Sequence, residues 1–436
     1  MGKGQDTYRT AKKLIPGGTG LLSKRPEMFL PDLWPAYYRQ AKGSEVWDLD
    51  NRHYWDMSYM GIGACVLGYA DSDVDAAVHA AIEKGSMCTL NCPEEVELAE
   101  LLCKIHPWAG MVRFARTGGE AMAMAVRIAR ARTEKDVILF CGYHGWHDWY
   151  LSANVASDKA LDGHLLPGLK PKGVPRVLRG TAVPFEYNNT AQFAALMEKY
   201  RGKVAAVVME PVRNYLPQED FIETIRKATR EAGVVLVFDE ITSGWRLTVG
   251  GAHLTFGVEP DLAVFAKGMS NGYPMAAIIG RADVMDAAQE TFISSTYWTE
   301  RIGPVAALAT IRKLADRSVP AHLVRVGEHV QRGWLRLGQK HRLDITVSGI
   351  APLGHFSFNV QNPLVPKTLF TQLMLKKGFL ATTAFYAALS HTEEAIDRYL
   401  ENVDDAFGVI ACALKEGRLK DQLEGAVCQA GFKRLT

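Results

Sequence analysis

The chain has 436 residues, 48% of them hydrophobic and 22% charged, with 50 lysines and arginines against 48 acids. That length exceeds one simple core and predicts two or three lobes of a globular protein. A formal net charge of +2 excludes nucleic-acid or membrane-surface binding driven by bulk charge, and no apolar run is long enough to cross a bilayer.

The opening MGKGQDTYRTAKKL lacks the apolar segment of a secretory signal. Seven scattered cysteines, with no CxxC among them, read as reduced thiols, so the expected compartment is the cytoplasm. Residues 1–60 are expected to form an N-terminal segment that packs with a small C-terminal domain. A large domain is expected over 61–318. In it, Asp71–Lys84 and Pro93–His106 carry apolar residues at helical spacing, with acids in their first turns. Thr117-Gly118-Gly119 opens an alanine-rich helix that runs to Arg132, and Val137–Cys141 reads as a strand. Residues 151–180, rich in Gly, Pro and Lys, read as a solvated loop, with a gating lid as the alternative.

Val204–Met209 and Val234–Phe238 are continuous apolar runs flanking a helical pattern over Gln218–Glu231. Runs of this kind suit parallel strands covered on both faces. Leu262–Ala266 and Met275–Gly280 add two more strands, and 319–436 shifts to a helix–strand–helix pattern. The fold class is therefore α/β: a large domain with a central, mostly parallel sheet, plus a smaller α+β C-terminal domain. Such sheets bind ligands beyond the carboxyl ends of their strands.

Several charged residues stand where apolar runs stop. Glu210 ends one strand, Asp239 another, and Lys267 follows a third. Each alone has an ordinary reading: a glycine-containing helix start is a turn, an aspartate a cap, a lysine a side chain reaching for solvent. Together they supply an anion cradle at a helix N-terminus, a buried acid and a buried amine. Those are the requirements for holding pyridoxal 5′-phosphate, with Lys267 as the Schiff-base amine and Asp239 facing the ring nitrogen. His144 and His147 lack a nearby ligand cluster, so no metal is expected.

The sequence resembles the class III aminotransferases of fold type I, and among them the glutamate-1-semialdehyde 2,1-aminomutases. The resemblance runs from about Ala11 to Ile410. It rests on IPGG (15–18), TGGEAMAMAVRIARA (117–131), YHGWHD (143–148), MEP (209–211), FDEITSGWR (238–246), FAKGMSNGYP (265–274) and LSHTEEAIDRYL (389–400). It implies that Lys267 forms the Schiff base and Asp239 pairs with the pyridinium. It implies that Tyr143 and Ile241 pack on opposite ring faces, that Gly118 and Gly119 cradle the phosphate, and that Glu210 is a wall carboxylate. Thr296 matches a threonine that reaches the phosphate from a second subunit, which implies a homodimer with shared sites.

Two departures from the family pattern concern the substrate. Tyr297-Trp298-Thr299-Glu300-Arg301 stands where the family carries a glycine-asparagine-proline run. Lys24 stands where the aminomutases carry an arginine, with Arg25 beside it, and lysine does not reproduce arginine's bidentate fork. The expected reaction is transfer of an amino group from an amino-acid donor to a carbonyl metabolite, with an intramolecular aminomutase as the alternative. Lys24, Arg25, Arg246, Trp298 and Arg301 are the candidate substrate contacts. A cofactor-binding regulatory module is disfavoured because no basic helix-turn-helix extension is present, and a nicotinamide dehydrogenase because the chain lacks the GxGxxG fingerprint.

Overall fold

The structure, a computed structural model, describes residues 2–164 and 167–431. The chain separates into two units: the described residues up to Asp71 with those from Ala321 onward, and Ser72–Pro320 between them. Residues 61–71 belong to the terminal unit, where Gly43 bridges Tyr69 and the Leu389 N–H bonds the Val66 carbonyl. In that unit the short strand Phe379–Ala381 pairs in parallel with His53–Met57. This ties the last third of the sequence to the first. No helix among the described residues is long and apolar enough to cross a membrane.

Among the described residues, the middle unit is built on seven strands: β1 (Met111–Ala115), β2 (Val137–Cys141), β3 (Ala182–Pro184), β4 (Val204–Met209), β5 (Val235–Asp239), β6 (Leu262–Phe265) and β7 (Ala276–Gly280). Their order across the sheet is β1-β7-β6-β5-β4-β2-β3, and only β7 runs against its neighbours. The strand, the helix Phe221–Glu231 and the strand expected from residues 204–238 are present as β4, helix and β5. β1 and β3 were not among the expected strands. β1 is an edge strand with a largely open burial pattern, and β3 is only three residues ending in Pro184, so neither has the unbroken apolar run of an inner strand.

Period-two alternation assigns the two sheet faces. Val235 and Val237 join Ile138 and Phe140 in one core, against the helix Gly118–Thr133. Leu236 and Phe238 join Leu139 and Val207 in the other, against Phe193 and Ile225. With both faces covered, every residue of β2, β4 and β5 is buried.

Helix Phe221–Glu231 buries Phe221, Ile222, Ile225 and Thr229, one stripe at helical spacing. Truncating Ile225 to alanine removes fully buried methyl groups. Ile225→Ala is expected to cost about 2–5 kcal/mol, whereas the exposed Lys227→Ala stays within about 0.5 kcal/mol. Chemical-denaturation midpoints of the two variants check this.

Candidate active site

The sheet brings the strand-end residues to one edge. β5 ends at Asp239, whose side chain is buried. Its Oδ2 lies 2.8 Å from His144 Nδ1, and its Oδ1 accepts the Ile241 N–H at 3.1 Å. His144 Nε2 lies 3.1 Å from the Cys141 carbonyl. That carbonyl can only accept, so Nε2 carries a proton, and a further proton lies between Nδ1 and Oδ2. Burial pushes the Asp239 carboxyl upward, while the hydrogen bond and charge of His144 pull it down.

Lys267 follows β6 in a one-turn helix, Lys267–Met269, with φ of +46°. Left-handed backbone at a residue with a side chain costs on the order of 1–3 kcal/mol and persists only where the surroundings impose it. The lysine Nζ donates to Thr242 Oγ1 at 2.9 Å. Part of the side chain stays accessible, yet burial of the amine lowers its pKa to about 7, with the charges of Arg213 and Arg246 adding to the effect and Glu210 and Asp239 opposing it. A lysine in this state is part neutral nucleophile at physiological pH.

The helix Gly118–Thr133 starts behind a capping box: the Glu120 N–H bonds Thr117 Oγ1, and Glu120 Oε2 accepts the Thr117 N–H. A Cβ at Gly118 would stand 2.8 Å from Ile241 Cδ1, so the glycine lets this turn approach the Asp239 segment. Beside it, His147 Nδ1 is buried with no hydrogen-bond partner among the described residues and lies near Gly119. Tyr143 and Ile241 are half-buried and pack against the same core cluster. Glu210 Oε2 accepts the Tyr143 N–H at 3.2 Å, and Glu210 Oε1 lies 3.0 Å from Arg213 Nη1. Gly142, at φ +114°, leaves room for that carboxylate: a Cβ there would sit 2.7 Å from Glu210 Oε2.

The candidate substrate contacts are dispersed. Arg246 is buried and its Nε donates to the Thr242 carbonyl at 2.6 Å. Arg301 pairs with Glu94 at 3.1 Å. Trp298 is half-buried against the core that also receives Tyr143 and Ile241, whereas Thr296 and Tyr297 are exposed. Lys24, exposed, and Arg25, half-buried, lie in the terminal unit. Arg213 was not picked out from sequence, because its position three residues after Glu210 looks like an ordinary turn. Its signal is spatial: it faces Glu210 and acts on Lys267.

An activated amine beside a buried acid, a glycine turn at a helix start and an unpartnered buried imidazole nitrogen next to that turn together fit an anionic aldehyde cofactor. The class is therefore that of a pyridoxal-phosphate enzyme. Comparison with known proteins agrees. The family model described as class-III aminotransferase matches residues 31–407. The chain is 30% identical to the 2′-deamino-2′-hydroxyneamine transaminase of Streptomyces kanamyceticus, over 86% of this chain and 91% of that one. It is 30% identical to the glutamate-1-semialdehyde 2,1-aminomutase of Methanocaldococcus jannaschii, over 93% and 98%. A structure of the FumI protein of Sphingopyxis sp. MTA144, in its PLP internal aldimine form, superposes with a TM-score of 0.85 at 26% identity, covering 95% of this chain and 97% of that one. The protein belongs to the class-III aminotransferases, a pyridoxal-phosphate-dependent family, and its mixed, mostly parallel sheet is that of fold type I.

The depressed lysine pKa has a consequence for stability. Between about 7 and the ordinary value of 10.5, the unfolded chain binds a proton that the folded chain does not, so stability rises with pH across that window. Below it, the buried ammonium carries its full penalty. Lys267→Met is expected to stabilise the cofactor-free protein below pH 7, by on the order of a few kcal/mol after allowance for the accessible part of the side chain. The gain is expected to fade as pH rises toward 10.5. Thermal midpoints of both proteins across that range measure it.

Proposed function

We propose that the protein transfers an amino group from an amino-acid donor to a separate carbonyl metabolite, with Lys267 as the residue to which the cofactor is tethered. The observation that carries this reading is the placement of the Lys267 amine, held by Thr242, at the same strand-end edge as the Asp239–His144 pair. The cofactor supplies an aldehyde to receive the amine and a ring that takes up electron density from the substrate carbon. The remaining work falls to the chain. Lys267 Nζ, close to half-protonated near pH 7, takes the proton from the amine-bearing substrate carbon and gives it back on the other side of the transfer. Thr242 Oγ1 orients that nitrogen. Asp239, steadied by His144, would stabilise positive charge at the ring nitrogen. Tyr143 and Ile241 would cover the ring faces and keep water out, Gly118 and Gly119 would receive the phosphate, and Glu210 would form the wall beside Tyr143.

Thr296 belongs in this reading as a contribution from a second copy. It is exposed in the single chain, in a segment that also exposes Phe292 and Tyr297. Such apolar surface suits a subunit interface, and the proposed assembly is a homodimer in the cytoplasm. The acceptor is proposed to be a polar metabolite such as a sugar derivative, in keeping with the similarity to the neamine-series transaminase. An intramolecular aminomutase is the second reading, favoured by the similarity to the semialdehyde aminomutase.

Purified protein supplied with pyridoxal 5′-phosphate is expected to develop a visible band. Borohydride is expected to fix a single phosphopyridoxyl group on the peptide containing Lys267, and Lys267→Ala is expected to lose both signals. In a donor titration, conversion of the visible band to the ultraviolet absorption of the aminated cofactor, with release of a keto product, supports intermolecular transfer. Turnover of an amino-aldehyde without exchange of ¹⁵N between substrate molecules would show a mutase instead. Size-exclusion chromatography with light scattering is expected to give twice the 48.1 kDa chain mass.

A further inference from the structure

Beyond the carboxyl ends of β2, β3 and β4 lies a cavity of about 480 Å³. It is walled by Tyr143 and Glu210, and further by Tyr187, Tyr215, Glu186 and Arg213. Two of these walls are already part of the proposed cofactor site, so the cavity adjoins it. Arg213 is the one arginine or lysine among the described residues lining the cavity. Its side chain is largely enclosed, it meets Glu210 through Nη1 at 3.0 Å, and its charge is felt at Lys267.

We propose that Arg213 is the specificity-determining cation of this enzyme, receiving the carboxylate of the amine-bearing substrate in the cavity, with the rest of the substrate lying against Tyr187 and Tyr215. The inference rests on Lys267 being the cofactor-holding amine. Glu210 is the resident counter-ion. Its other oxygen is already anchored by the Tyr143 N–H, so it stays in place when an incoming carboxylate takes over the contact now made by Oε1. A guanidinium suits this exchange because its planar fork matches one carboxylate as well as another. The other candidate cations in this unit serve structural partners: Arg246 the Thr242 carbonyl, and Arg301 the Glu94 carboxylate. The tyrosines add flat surface with a hydroxyl. The Tyr187 hydroxyl is held by the Pro211 carbonyl, which fixes its ring as a wall of the cavity.

The test uses the full-length, cofactor-loaded enzyme and carboxylates that carry no amine: propionate, succinate and 3-phenylpropionate. Each is titrated against the resting visible band. At least one is expected to perturb the wild-type band saturably. Arg213→Gln is expected to weaken that affinity by about tenfold or more, and Arg213→Lys to fall between, because a point charge keeps the attraction and loses the fork. Loss of the cation is also expected to move the pH dependence of the visible band upward in Arg213→Gln, a sign that the variant is folded and has lost only the charge. If none of the three carboxylates perturbs the wild-type band, or if Arg213→Gln binds them as wild type does, the inference is overturned while the cofactor reading stands. A wild-type protein that forms no visible band at all overturns both.

Discussion

Asp239 and Lys267 stand at neighbouring strand ends in one desolvated region, and the arrangement around them keeps either charge from being spent on the other. A free ammonium and a free carboxylate in low dielectric would collapse into a pair, and a lysine locked in a salt bridge is no nucleophile. Here each has its own partner. His144 occupies the Asp239 Oδ2 at 2.8 Å, and Thr242 occupies the lysine Nζ at 2.9 Å. Two arginines nearby tilt the balance further by disfavouring a third positive charge at Lys267. The acid keeps its proton partner, and the amine becomes available as a base.

That separation requires the segment 239–246 to hold its shape, because it supplies Asp239, Ile241, Thr242 and Arg246. The neighbouring residue Glu240 points the other way, into a fully buried network. Burial alone would raise its carboxyl, but hydrogen bonds from His253 and Ser243 outweigh this and hold it low. The indole of Trp108 donates to His253 Nε2 at 3.1 Å, so His253 carries its proton on Nδ1, facing Glu240. His106 is held in a single tautomer as well: its Nε2 accepts the Gly251 N–H, and burial lowers its pKa to about 4. The network is satisfied without a titration near neutrality at His106, and it clamps the turn from beneath.

Much of this was legible in the sequence because buried parallel strands are unbroken apolar runs, and a charge at the end of such a run has few structural excuses. Lys267, Asp239 and Glu210 stood out on that ground, and the strands that carry them lie where expected. The edge strand Met111–Ala115 did not stand out, since one side of it faces no partner strand and its residues are mixed. The short β3 is too brief to show any period. Among the substrate candidates, sequence distance misled. Arg301 sits in a segment that departs from the family pattern, yet its guanidinium is bound to Glu94, 207 positions away. Arg213 sits in an unremarkable turn, yet lines the cavity. Arginines look alike in sequence, and only the fold distinguishes one that braces a helix from one that faces a void.

The same contrast bears on the proposed substrate site. Residues proposed to hold the cofactor sit at strand ends and at the start of the helix Gly118–Thr133, and their freedom to vary is small: a Cβ at Gly118 meets Ile241, and one at Gly142 meets Glu210. Arg213, Asn214 and Tyr215 belong instead to the loop between β4 and the helix Phe221–Glu231, which forms no strand among the described residues. Loop residues can change without disturbing the core. In the proposed reading, a cation placed there serves recognition while Lys267, Asp239 and His144 keep their geometry, because the Glu210 carboxylate that it meets is already tied to the Tyr143 backbone. The proposed specificity therefore rests on a loop whose charge acts on the Lys267 amine, while the residues that flank that amine are set by the strands.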